Sequence, residues 1–184
     1  MRISLQRTIH YFSFSLFLIP LCLFGQDMNQ KDTLLTKKIN IAKEIMGSAG
    51  NCALITLDSE GRPRVRTMDP FSPEEDLTVW FGTNPKSRKV NQIKNDPRVT
   101  LYYFDQSNFG YVMLQGTAEL IDDKELKKKY WKDQWTAFYP DNDENYLLIK
   151  VSPNQFELVS YKHGIEGDPI NWTPPVIDLN SNGE

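Results

Sequence analysis

From Thr33 onward, apolar residues recur every three to four positions: Leu35, Ile39, Ala42 and Ile45 or Met46, with lysines between them. That period predicts an amphipathic helix. Gly47 and Gly50 supply the left-handed residues on which helices commonly end. The period then changes. Asn51–Leu57 is a near-continuous apolar strand, Asp58-Ser59-Glu60-Gly61 is hairpin turn chemistry, and Arg62–Met68 reads as the returning strand. Arg62, Arg64 and Arg66 fall at period two and so share one face of that strand. Leu77–Phe81 and Val99–Phe104 are further strands, rich in Val, Trp, Tyr and Phe. Gly110–Ile121 is a long strand with a bend expected at Gly116. Asp122 and Asp123 open a charged helix running to about Trp135, where acidic residues suit the helix dipole. Thr136–Asn145 is a loop. Tyr146–Val151 and Phe156–Tyr161 are the last strands. Seven short strands with three helices between or before them predict a mainly β, closed or partly closed antiparallel barrel with flanking helices. The β and α elements do not alternate as in a doubly wound sheet, and there is no GxGxxG.

The two ends of the chain read differently. Met1–Gly25 carries Arg2 and Arg7, then an apolar run over Tyr11–Phe24, broken by Ser13, Ser15 and Pro20. This is a basic segment followed by a hydrophobic one, with Gly25 as the small residue before cleavage, so an export signal is expected. A retained membrane anchor and a lipoprotein processed at Cys22 are the alternatives. The run falls short of the ~20 apolar residues a membrane span wants, and Leu21 stands where lipoprotein processing wants a small residue. The chain then divides into a signal peptide (1–25), a polar linker (26–33), one domain (34–161) and a tail (162–184). Pro169, Pro174 and Pro175 give that tail an irregular, surface character. An exported periplasmic or secreted protein follows, with no membrane association after cleavage.

Composition narrows the chemistry. Cleavage removes Arg2 and Arg7 and moves the net charge from −3 to −5. An acidic domain argues against a nucleic-acid partner. Only Cys52 and His163 remain of their kinds, which excludes an intrachain disulfide and Cys/His zinc sites. Asp141–Glu144 lacks the glycine and spacing of a calcium loop and reads as solvated. Cys52 reads as a buried, inert thiol. Trp131 and Trp135, four apart on one helix face, read as core packing ahead of contact with a ligand.

Phe81–Lys89 carries the candidate chemistry. A strand ends at Phe81; Asn84 suits an N-cap and Pro85 the first helical position. Val90 and Ile93 give the helix a buried stripe, and Asp96-Pro97 stops it. The first helical turn offers free N–H groups and partial positive charge. Here it also carries Thr83 and Ser87 hydroxyls with Arg88 and Lys89, a set that suits a phosphate dianion. A solvated basic helix start is the competing reading.

The run Gly61-Arg62-Pro63-Arg64-Val65-Arg66-Thr67-Met68, then Trp80-Phe81-Gly82-Thr83-Asn84, Ser87-Arg88-Lys89, Gln92-Ile93 and Asn95-Asp96-Pro97-Arg98-Val99 resembles the FMN-binding split barrel of pyridoxamine 5′-phosphate oxidases. Tyr111-Val112, Gly116–Leu120, Trp131, Trp135–Pro140, Leu147–Val151 and Phe156-Glu157 resemble the general stress protein branch of that superfamily. The resemblance covers about Leu34–Tyr161. It implies a homodimeric, six-stranded antiparallel split β-barrel of Greek-key type that binds FMN at the subunit interface. Matched position by position, Arg66 is the phosphate-binding arginine. Thr67, Met68 and Asp69 run beside the isoalloxazine ring, Gly82 and Thr83 meet the flavin and its phosphate, and Ser87, Arg88 and Lys89 complete the phosphate clamp.

The departures are as informative. Tyr111 stands where the oxidases place a glutamine, and so joins the flavin-binding set. Phe71 stands where they carry a lysine, and their Arg-x-His pair is missing, with only Lys162-His163 nearby. The resemblance therefore implies a flavin cradle without the vitamin B6 site. The leading expectation is an FMN-dependent oxidoreductase acting on an unnamed small-molecule redox substrate. A non-catalytic flavin store, sensor or scavenger is the alternative, and a degenerate barrel without cofactor a third.

Overall fold

The computed structural model describes residues 22–139 and 145–180, with backbone alone for residues 22–31. Helix α1 (Cys22–Ala49) is followed by β1 (Cys52–Leu57), β2 (Pro63–Met68), β3 (Val79–Thr83), α2 (Arg88–Asn95), β4 (Arg98–Asp105), β5 (Gly110–Ile121), α3 (Lys124–Lys129), β6 (Leu147–Ser160) and β7 (Val176–Asp178). The sheet runs β2-β1-β4-β5-β6-β3, all antiparallel, with β7 added to β6. Its outer strands, β2 and β3, do not pair as strands. A single bridge between Pro70 and Phe81, with the Phe71 N–H donating to Trp80 O at 2.9 Å, draws the two edges together. The barrel is thus split along one seam.

Helix α1 buries Ile41, Ala42, Ile45 and Met46 against β4 and β5. It begins earlier than the periodicity indicates and takes in 26–33, read from sequence as a linker. No Gly or Pro lies between Gln26 and Met46, so nothing in that stretch stops a helix. The helix ends where expected: Gly50, at φ 69°, donates its N–H to Met46 O. Most of the export-signal segment lies outside the described residues; 22–25 open α1. Among the described residues, no helix is long and apolar enough to cross a membrane.

The β1–β2 hairpin turns on Gly61 at φ 73°, where L side chains are strained. Strand β5 matches its sequence boundaries, and the bend falls at Gly116. A Cβ there would meet Ser152 O at 2.2 Å, so only glycine fits beside β6. The two strands read at 146–151 and 156–161 are one. Asn154 is the extra residue of a bulge opposite Gln115 and Gly116. Pro153 falls between the part of β6 that pairs with β3 and the part that pairs with β7, where its missing N–H breaks no ladder on that side. The tail is not wholly irregular: Val176–Asp178 adds β7, and Ile177 is buried. The helix expected from Asp122 to Trp135 also divides. Asp123 caps α3 by accepting from the Leu126 N–H at 2.8 Å, and the chain restarts as a 3-10 helix at Asp133–Ala137.

Two apolar clusters result. The barrel interior holds Leu54, Phe81, Leu101, Tyr103, Leu114 and Phe156. Trp80, Tyr130, Trp135, Tyr146 and Leu148 form a smaller aromatic cluster beside it.

Candidate cofactor site

Strand β3 delivers Gly82 and Thr83 to one end of the barrel. The chain then turns tightly: Asn84 Oδ1 accepts from the Lys86 N–H at 2.8 Å, and Asn84 O from the Ser87 N–H at 3.0 Å. Asn84 spends its side chain on this turn, so α2 begins later than expected, with Ser87 as N-cap. The Ser87 hydroxyl makes no cap bond and lies 3.3 Å from the Thr83 hydroxyl. Val90 and Ile93 anchor the helix to the core, as their spacing indicates.

Arg66 reaches this helix from β2. Its guanidinium donates to Leu54 O at 3.1 Å, Thr56 Oγ1 at 2.7 Å and Gln92 Oε1 at 2.8 Å, all neutral acceptors. The Thr56 hydroxyl donates in turn to Gln92 Oε1. Lys89 Nζ donates to Thr83 Oγ1 at 3.0 Å. Among the described residues, no carboxylate forms an ion pair with Arg66, Arg88 or Lys89. Burial, then the charge of Arg88, lowers the pKa of Arg66. Burial, then the charge of Arg66, lowers that of Lys89. The cluster is positive charge of one sign, half-buried at Arg66 and Lys89 and exposed at Arg88.

A cleft of about 400 Å³ opens beside it. Thr67, Met68 and Asp69 form one wall and Gly82, Thr83 and Lys89 the other. The Asp69 carboxylate accepts from Lys132 Nζ at 2.6 Å and from Trp135 Nε1 at 3.3 Å, which ties the 3-10 helix to the end of β2. Trp135, Phe138 and Tyr139 complete the lining. Trp135 does both things weighed for it, since it is buried in the aromatic cluster and faces the cleft. A Cβ on Gly82 would come within 2.5 Å of both Trp135 and Tyr146, so glycine is what lets this wall close. Phe138 and Tyr139 carried no local signal of their place, because only the break after α3 brings them to the cleft, Phe138 at its exposed lip.

Nine of the ten site residues read from sequence gather at this end of the barrel. Tyr111 does not. It lies on β5 beside Tyr102, ring centroids 5.5 Å apart, away from the cleft lining. Phe71, in place of a lysine, packs edge-on against Tyr130 and Trp135. Lys162 and His163 both hold Glu44, at 2.6 and 3.1 Å, and contribute nothing to the cleft. Cys52 is buried, and burial pushes its thiol up to about 12, which keeps it protonated and unreactive. The Tyr103 hydroxyl is buried beside it. Asp141–Glu144 lies outside the described residues. Among those described, no group of three metal-ligating side chains occurs. A second cleft, of about 520 Å³, lies between β1, β4, β5 and β6; its cation, Arg98, is already paired with Asp96 at 2.6 Å.

Known proteins resemble this chain in sequence and in fold. General stress protein 26 of Bacillus subtilis is 29% identical over 105 residues, which span 55% of this chain and 74% of that protein. A Clostridium acetobutylicum protein related to general stress protein 26, of the pyridoxinephosphate oxidase family, superposes with a TM-score of 0.66. It is 20% identical, and the match covers 79% of this chain and 97% of that one. An FMN-binding protein of Nostoc punctiforme, related to pyridoxamine 5′-phosphate oxidase, superposes at 0.52 with 16% identity, covering 80% of this chain and 96% of that one. Residues 37–164 match the family described as pyridoxamine 5′-phosphate oxidase like, and at that coverage the chain belongs to it.

Proposed function

We propose that this protein binds FMN and works as a flavin-dependent oxidoreductase of the general stress protein type, without pyridoxamine phosphate oxidase activity. The observation that carries the reading is the group of Arg66, Arg88 and Lys89 beside the Thr83 and Ser87 hydroxyls, with no carboxylate paired to it among the described residues. Mutually repelling, partly desolvated cations at a helix start suit a phosphate dianion. In this reading Arg66, Arg88, Lys89, Thr83 and Ser87 hold the phosphate of FMN. The backbone of Thr67–Asp69 and the face of Gly82 border the ring, and Trp135 excludes water from one side. FMN supplies the redox chemistry when bound. Asp69 is engaged by Lys132 and Trp135, so it orients the wall and does not move a proton.

Two copies of the chain are expected to pair. Tyr102 and Phe104 alternate onto the outer face of β4, 38% and 48% exposed, with Tyr111 beside them on β5. An aromatic sheet face of this kind suits burial against a second copy, which would also bring Tyr111 to a partner's flavin. The reading includes export, with the mature chain beginning near Gln26.

Titration of the apo-protein with FMN and riboflavin tests the assignment. FMN is expected to bind about a hundredfold tighter or more, the worth of one to two charge-assisted bonds. Equal affinities would remove the phosphate clamp. Anaerobic addition of NADH or NADPH to the FMN-loaded protein then separates the two flavin readings. Bleaching of the flavin band supports the oxidoreductase. Intact binding with no reduction by either donor supports the store or sensor.

A further inference from the structure

Beyond Ile165, which packs on the barrel core, the loop between β6 and β7 is built tightly yet lines neither cleft. The Asp168 carboxylate accepts from the Ile170 and Asn171 N–H groups at 2.9 and 3.0 Å. The Asp168 N–H donates to Thr173 O at 2.9 Å and the Trp172 N–H to Asp168 O at 2.8 Å. Gly167 lies under this frame, where a Cβ would meet Trp172 O at 2.6 Å. The frame holds Trp172 at φ 61°, a left-handed conformation that bulky residues adopt only when their surroundings impose it. Its result is an apolar tip, with Ile170 88% and Trp172 79% exposed. Residues 164–175 carry two acids, Glu166 and Asp168, and no Lys or Arg.

We propose that this loop docks on the cationic cleft of a second copy of the chain, seating Trp172 and Ile170 against Phe138 at the cleft lip. Charge selects the occupant. The loop is acidic, whereas Lys89 lines the cleft and Arg88 is its neighbour on α2, both without a carboxylate partner among the described residues. Shape agrees, since Phe138 projects from the lip, 74% exposed, as a counterpart for the indole. Continuity agrees as well. The loop runs directly into β7, where exposed Val176 pairs with Glu157, next to the strand that carries Tyr111. Tryptophan is among the residues that most often anchor such contacts. An anionic lipid surface would be repelled by the two acids. The inference rests on the pairing of copies proposed above; it does not require flavin.

Iodide quenching tests it on the full apo-chain. The signal of Trp172 is isolated as the difference between wild type and Trp172→Phe. Where sedimentation shows a dimer, this component should be shielded from iodide, and on dilution to monomer it should become accessible. Ile170→Ser/Trp172→Ser and Glu166→Lys should each weaken the dimer by about tenfold or more, as loss of an interface anchor does. A dimer whose Trp172 is fully accessible overturns the proposal. So does an unchanged dimer in Ile170→Ser/Trp172→Ser, a chain that stays monomeric at all concentrations, or shielding that appears only with phosphatidylglycerol vesicles. FMN titration of the same samples keeps the two readings apart. A shielded Trp172 in a dimer that takes up no FMN leaves the docking standing and removes the flavin.

Discussion

Strand β2 and the residue that leads into it carry arginines with opposite fates at alternate positions. At the hairpin end, Arg62 and Arg64 donate to the Asp58 carboxylate at 3.0 and 2.9 Å, and Arg62 also pairs with Glu60. One turn of the pleat further on, Arg66 meets only a carbonyl, a hydroxyl and an amide oxygen, with Arg88 and Lys89 close enough to repel it. Residue type and alternate spacing are shared, so neither motif nor periodicity separates the two ends. The partners do. A cation answered by a carboxylate is part of the fold, whereas in the proposed reading the cations that meet only neutral groups or solvent take the FMN phosphate.

Breaking the unpaired end should give the largest effect. Arg88→Ala/Lys89→Ala removes two charge-assisted bonds, each worth roughly 1.5–3 kcal/mol. FMN affinity should fall at least about a hundredfold while riboflavin affinity stays unchanged, which flavin fluorescence titration checks. The contrast between Arg66 and the hairpin end comes next. Arg66→Ala should weaken FMN by about ten- to a hundredfold, and Arg62→Ala should leave it unaltered, as should Lys94→Ala beyond the first helical turn. Titrations repeated from neutral to alkaline pH sharpen the comparison. Lys89 has its pKa lowered by burial and by Arg66, so the apo-protein loses this proton earlier than an ordinary lysine would. A bound dianion favours the charged form. FMN affinity should therefore decline as pH rises through the lowered value, and Lys89→Arg should flatten that decline. Thr83→Ala removes one neutral hydroxyl, worth roughly 0.5–1.5 kcal/mol, and should cost FMN affinity only about tenfold or less.

The smallest effect lies at the paired end. Burial raises the pKa of Asp58, but the bonds from Arg62, Glu60 and Arg64 outweigh it and hold the carboxyl well below the usual range. A carboxyl depressed on folding contributes stability above its unfolded value, near 4, and loses it as pH falls toward the folded one. Asp58→Asn should thus remove a small part of the acid sensitivity seen in thermal melts, with no change in FMN affinity.

Legibility in the sequence followed the range of the forces involved. Strand β5 could be bounded to the residue because alternation and the terminal Gly110 are local. The start of α2 was displaced because Asn84 had two uses, cap or turn, and only the hydrogen bond to Lys86 decides between them. Tyr146–Val151 and Phe156–Tyr161 read as two strands because the change of partner beside β6 is a tertiary fact. Val176–Asp178 is too short, and too closely preceded by prolines, to stand out as a strand. At the site, the contiguous Gly82–Lys89 segment and Arg66 were readable, because a helix start with hydroxyls and cations is a chemical pattern in one dimension. The Trp135–Tyr139 wall was not, since its place depends on where α3 stops.

The seam between β2 and β3 has a dynamic consequence. The edges that face each other there carry the two walls of the cleft, Thr67–Asp69 on one and Gly82–Thr83 on the other, and among the described residues the backbone joins them only at the bridge between Pro70 and Phe81. Opening the seam breaks little, whereas opening β5 from β6 breaks a ladder twelve residues long. Amide hydrogen exchange should accordingly be fast at Phe71 and slow through Val112–Leu114. The cleft can then breathe to admit a planar molecule while the rest of the barrel stays shut.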